Sequence, residues 1–94
     1  MEITVQFEAQ LRHLAGIGNA VVTVPDGSSV EEALRAIATQ FGLPLGERLL
    51  SADGTPQRSV LLFVNDKPIA HSAVREQRLN AGDVLLLYPP ISGG

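Results

Sequence analysis

The chain has no cysteine. That absence removes a disulfide framework, a thiolate metal centre and a cysteine nucleophile together, and it fits a reducing compartment. Tryptophan is missing too, and the aromatic set is only Phe7, Phe41, Phe63 and Tyr88, so Val, Ile, Leu and Ala have to supply the packing. There is no basic run: Lys and Arg total 7 against 10 acidic residues, for a net charge of −3. Neither nucleic acid nor an anionic membrane surface is therefore expected as a partner. No stretch approaches the roughly 18–20 apolar residues needed to span a bilayer. The opening Met1-Glu2-Ile3-Thr4 is acidic and alternating rather than signal-like, so a cytoplasmic protein is expected. With 94 residues, the chain fits one small domain that buries roughly 60–65 % of its unfolded surface.

What is present is legible as strands around one strong helix. Residues 2–8 alternate, with Ile3, Val5 and Phe7 on one side and Glu2, Thr4, Gln6 and Glu8 on the other, which is the period of a half-buried strand. The pattern breaks over residues 11–18, with Gly16 and Gly18, and resumes over residues 20–24 before Pro25-Asp26-Gly27 turns the chain. An antiparallel hairpin is expected. Ser29 followed by Glu32 has the form of a capping box, and Val30, Ala33, Leu34, Ile37, Ala38 and Phe41 fall on one helical stripe, predicting a helix over 30–41. Gly42 is expected as its left-handed cap and Pro44 as its stop. After a polar stretch, residues 60–64 read as a strand, 68–70 as a short one, and Val84-Leu85-Leu86-Leu87-Tyr88 as the last. The order is that of an α+β fold, a mixed sheet with one main helix on one face. Two strands, 60–64 and 84–88, are apolar at both parities, as in strands covered on both faces. A single helix covers one face only. The other is either buried under loops or an exposed apolar patch of the kind that docks partners.

The chain ends Pro89-Pro90-Ile91-Ser92-Gly93-Gly94. Two prolines extend the backbone away from the last strand, and two residues without side chains finish it, so the terminal carboxylate stands on a thin stem able to enter a channel too narrow for a Cβ. Composition alone also allows a merely frayed end. The stem follows directly on a core strand, however, and its reach is thereby set by the fold. The expected division is a domain over 1–88 and a flexible tail over 89–94.

Leu11-Arg12-His13-Leu14-Ala15-Gly16, Val64-Asn65-Asp66, and Gly82-Asp83-Val84 leading into the Pro-Pro-x-x-Gly-Gly end together resemble the ubiquitin-like sulfur carriers of the MoaD/ThiS type. The match spans the whole chain and is closest to the small subunit of molybdopterin synthase. The resemblance implies a β-grasp fold and a cycle in which a ubiquitin-activating-like enzyme uses ATP to adenylate the carboxylate of Gly94, which is then converted to a thiocarboxylate. The molybdopterin synthase large subunit would take the sulfur, and this chain would bind no cofactor of its own. By the same analogy Tyr88 and Leu86, with Phe63, Pro89, Pro90, Ile91 and Ser92, are expected to meet the partners, and Gly93 and Gly94 to enter the catalytic centre. The region 43–59 is longer and more polar than in the shortest molybdopterin subunits, and a longer version also occurs in cysteine-type carriers.

Other candidate residues have simpler readings. His13 and His71 lack neighbours at ligand spacing, so no metal site is expected. Glu31 and Glu32 sit in a first helical turn, where carboxylates favour the dipole. Lys67 is the only lysine, read as a solvated turn residue. Gly16 and Gly18 lack the strand-to-helix setting of a phosphate loop, which leaves ATP to the partner.

Overall fold

The structure, a computed structural model, describes residues 1–89. The opening alternation folds as β1 (Glu2–Phe7), which turns through α1 (Ala9–Ala15) into β2 (Asn19–Thr23). The capping box starts α2 (Val30–Phe41), followed by α3 (Leu45–Leu49), β3 (Leu61–Val64), β4 (Lys67–Ile69), a 3₁₀ turn at His71–Ala73, and β5 (Val84–Tyr88). The strands form one sheet in the order β2-β1-β5-β3-β4. β1 runs parallel to β5, and the other three pairings are antiparallel. This is the mixed five-stranded sheet of a β-grasp, ubiquitin-like fold.

One parity of every long strand is sealed. Ile3, Val5, Phe7, Val22, Leu62, Val64, Leu85 and Leu87 are buried and form one cluster with Val30, Ala33, Leu34 and Ile37 of α2. Phe41, at the end of the helical stripe, packs edge-on against Phe7 with ring centroids 5.1 Å apart. The cap is as the spacing predicts: Glu32 N–H donates to Ser29 Oγ at 3.1 Å, and Ser29 N–H donates to Glu32 Oε1 at 3.0 Å. Two of the orphan donors at the helix start are thus satisfied reciprocally.

Three details differ from the sequence reading. Residues 9–15 form a helix where only a break in the strand pattern was expected; Leu11 anchors it in the core, and Gly16, left-handed at φ 77°, ends it. A third helix, α3, inserts Leu45 and Leu49 beside α2. Gly42 does take a positive φ, 68°, but with ψ −158°, an extended region open essentially to glycine alone, rather than the left-handed cap. The chain therefore leaves α2 sharply enough for α3 to pack back on it. Gly46 shows how closely, since a Cβ there would lie 3.5 Å from the Cβ of Ala38.

The helix face is tied down from a third direction by residues 71–79, where Val74 and Leu79 are buried. Glu31 N–H donates to Val74 O at 3.0 Å. The Glu31 carboxylate, nearly buried, lies 3.0 Å from Arg35 and 3.3 Å from Arg75, so it does more than complement the helix dipole.

Replacing Ser29 by Ala removes a cap, and urea denaturation at neutral pH is expected to show a loss of about 1 kcal/mol. Hydrogen bonds from the Ser29 backbone and hydroxyl hold the Glu32 carboxyl below its ordinary value of 4.5. A carboxyl depressed in the folded state stabilises the fold above its unfolded value and loses that contribution as the pH falls through the folded one. The urea midpoints of the native chain and Glu32→Gln are accordingly expected to differ at neutral pH and to converge as the pH is lowered beneath 4.5.

Candidate functional site

All three helices share one face of the sheet, so the opposite face carries no layer among the described residues. Side chains directly opposite one another on paired strands point to the same face. Phe63 pairs with Leu86 and with Pro68, and Leu61 pairs with Tyr88. These residues, half-buried or exposed, make a continuous apolar patch across β5, β3 and β4. Its aromatic pair is preformed: the rings of Phe63 and Tyr88 meet edge to face at 6.0 Å and 79°. Toward β1 and β2 the same face turns polar, with Glu2, Thr4 and Gln6, and Val21 stands alone there.

The patch lies where the chain leaves the sheet. Leu87 O accepts from Glu8 N–H at 3.1 Å, so the end of β5 is held by the end of β1, and Pro89, half-buried, follows Tyr88. Leu86, Tyr88 and Phe63 therefore sit together on the bare face, with Pro89 at its edge. Pro90, Ile91, Ser92, Gly93 and Gly94 lie outside the described residues. Leu61 and Pro68, not singled out from the sequence, complete the patch. Once β3 is known to pair with β5, their alternation with Leu62 and Ile69 identifies them, but that pairing cannot be read from the chain.

Two motif segments far apart in sequence meet at the other end of β5. Asn65 Nδ2 donates to Asp83 Oδ1 at 2.9 Å, and Asn65 Oδ1 accepts from Val84 N–H at 2.9 Å. Asn65 N–H donates in turn to Val84 O at 2.9 Å. The second Asp83 oxygen accepts from Asn80 N–H at 2.8 Å. Asn65 and Asp66 both have positive φ, 49° and 69°, the requirement of a two-residue hairpin whose twist matches its strands. Val64-Asn65-Asp66 and Gly82-Asp83-Val84 are thus one junction.

The remaining motif, residues 11–16, is α1. Its Leu11 is core, while Arg12 lies across Gly18, where a Cβ would come within 3.0 Å of the guanidinium. No group of His, Cys, Asp or Glu suited to hold a metal occurs among the described residues. His71 Nε2 is 3.0 Å from Gln57 O, and His13 lies on α1, remote in sequence and element. No helix among the described residues is long and apolar enough to cross a membrane.

In sequence comparison the ThiS family profile covers residues 5–94. The chain belongs to the ThiS family of ubiquitin-like sulfur carriers. This family member is 28 % identical over 94 residues to small archaeal modifier protein 3 of Haloferax volcanii, covering 100 % of both chains. It is 31 % identical over 94 residues to the molybdopterin synthase sulfur carrier subunit of Arabidopsis thaliana, spanning 100 % of this chain and 84 % of that protein. The crystal structure of SAMP1 from Haloferax volcanii superposes with a TM-score of 0.87 at 28 % identity, over 100 % of each chain.

The Phe63–Tyr88 contact should be measurable in isolation. A double-mutant cycle with Phe63→Leu and Tyr88→Leu, read by urea denaturation, is expected to give a coupling of about 1 kcal/mol.

Proposed function

We propose that this chain is the sulfur donor of a molybdopterin synthase, its Gly94 carboxylate being adenylated by a ubiquitin-activating-type enzyme and then converted to a thiocarboxylate. The observation that supports this most directly is the apolar patch of Leu61, Phe63, Leu86 and Tyr88, left uncovered beside the start of the tail. Two successive partners need one recognition surface at a fixed distance from the reacting carbon. The six residues that follow Tyr88 span at most about 20 Å, so a partner gripping the patch can place its catalytic centre within that radius.

The chemistry divides accordingly. A carboxylate is a poor electrophile. ATP, bound by the activating enzyme, turns one oxygen of Gly94 into part of an AMP leaving group. A persulfide sulfur on the sulfur donor displaces AMP to give an acyl disulfide. A second partner thiol then attacks the donor's sulfur, forming a disulfide with it and releasing the Gly94 thiocarboxylate. Gly93 and Gly94 carry no side chain to obstruct the passage. In the synthase the large subunit holds the thiocarboxylate against its pterin substrate and supplies acid and base, while this chain supplies the sulfur. The similarity to the Arabidopsis thaliana sulfur carrier subunit supports that choice over carriers for thiamine or cysteine.

A second reading, a protein modifier joined through Gly94 to amines, is favoured by the full-length similarity to small archaeal modifier protein 3. It uses the same adenylate and differs only in the nucleophile.

With the activating enzyme, ATP and a sulfur donor, intact mass is expected to show one oxygen replaced by sulfur. The thiocarboxylated chain is then expected to yield a dithiolene with a molybdopterin synthase large subunit and its pterin substrate. Removal of Gly94 should abolish ATP–pyrophosphate exchange without moving the urea midpoint, and Leu86→Arg should raise the KM of the activating enzyme for this chain by about tenfold or more. Unchanged mass in a mixture competent for another carrier would sink the carrier reading. Thiocarboxylate without dithiolene would sink the assignment to molybdopterin.

A further inference from the structure

The two edges of the sheet, β2 and β4, are unequal. β4 is blunted: it is 3 residues long and holds Lys67 and Pro68, a charge and a residue with no N–H to offer, two devices that keep an edge from pairing. β2 has neither. Residues 19–24, Asn19-Ala20-Val21-Val22-Thr23-Val24, carry no charge and no proline, and Val21 among them is 60 % exposed.

Which backbone groups of β2 face outward is fixed by its pairing with β1. The Met1 amine donates to Val24 O at 2.8 Å and Val24 N–H to Met1 O at 2.9 Å, while Phe7 N–H donates to Gly18 O at 2.9 Å. Bonded pairs recur at every second residue of an antiparallel ladder. Gly18, Ala20, Val22 and Val24 therefore turn toward β1, and Asn19, Val21 and Thr23 present N–H and C=O to the outside. No turn or loop backbone covers these three among the described residues. Another strand can pair here only through them.

We infer that β2 is the interface of a homodimer, in which β2 of a second copy pairs antiparallel with it about a two-fold axis at Val21. Parity selects the register. Outward groups must meet outward groups, and of the alignments that satisfy this, the one centred on Val21 alone uses all three residues of both copies. Val21 exchanges two hydrogen bonds with its counterpart, and each Asn19 exchanges two with Thr23 of the other copy. The side chains agree. Asn19, Val21 and Thr23 are all exposed on the bare face; across the axis valine meets valine and an amide meets a hydroxyl, with no charge set against a like charge. An edge that is its own complement makes an isologous contact, which closes at two copies, and the blunted β4 edges end the joined sheet on both sides. In the sheet order β1 stands between β2 and β5, so both apolar patches and both tails stay open. The inference is thus independent of the chemistry at Gly94.

Because the native chain has no cysteine, single introduced thiols report the register. Residues that exchange both hydrogen bonds lie about 5.5 Å apart at Cα, within disulfide reach. Val21→Cys is expected to give a disulfide dimer under mild oxidation. Thr23→Cys sets its two thiols roughly 13 Å apart along the strands and is expected to stay unlinked, whereas Asn19→Cys and Thr23→Cys chains mixed together are expected to link to each other. A single short strand pair makes a small, transient interface, so sedimentation of the native chain is to be followed up to about 1 mM. Its mass is expected to rise from 10.0 kDa toward twice that value, a rise lost in Val21→Lys with the urea midpoint unchanged and kept in Leu86→Arg. A native chain that stays monomeric throughout, a rise that survives Val21→Lys or is lost in Leu86→Arg, or Val21→Cys linking no faster than Thr23→Cys overturns the inference.

Discussion

The register of β5 is the constraint on which the rest depends. Lying between β1 and β3, this strand joins the two ends of the chain, and no tight turn sets its alignment with either neighbour. Side chains alternate faces with a period of two, so a slip of one residue would turn Leu86 and Tyr88 inward and bare Leu85 and Leu87. The Asn65 amide and the Asp83 carboxylate prevent this by clamping the first residue of β5 to the β3–β4 hairpin. Asp83 O also accepts from Thr4 N–H at 2.9 Å, which couples the same point to β1. The apolar patch and the root of the tail inherit their geometry from that junction.

The helix side follows local rules, and how far it was legible tracks how local they are. In α2 the capping box, the apolar stripe and the glycine stop all act within the segment, so its limits, Val30–Phe41, agree with the sequence reading. In α1 and α3, of 7 and 5 residues, too few hydrogen bonds form to offset nucleation, and each depends on leucines that become buried only after the sheet is assembled. No window of sequence contains that information. Gly42 shows the same limit on a smaller scale: its need for positive φ was readable, whereas its ψ is dictated by where α3 packs.

For the candidate site, the motif segments could be marked in the sequence, but not why they belong together. That Asn65 and Asp83 touch could not be inferred from spacing, since eighteen residues separate them. In an all-apolar β5 the outward parity was likewise invisible; it came from analogy for Leu86 and Tyr88, and the pairing of Phe63 with Leu86 places all three on one face.

Tyr88 has one more consequence. The chain holds a single tyrosine and no tryptophan, so its near-ultraviolet emission comes from one ring, partly open to water at the mouth of the tail. A molecule that covers Tyr88 changes the solvation of that ring. The protein thus carries its own optical reporter of occupancy, free of background from the core and requiring no attached dye.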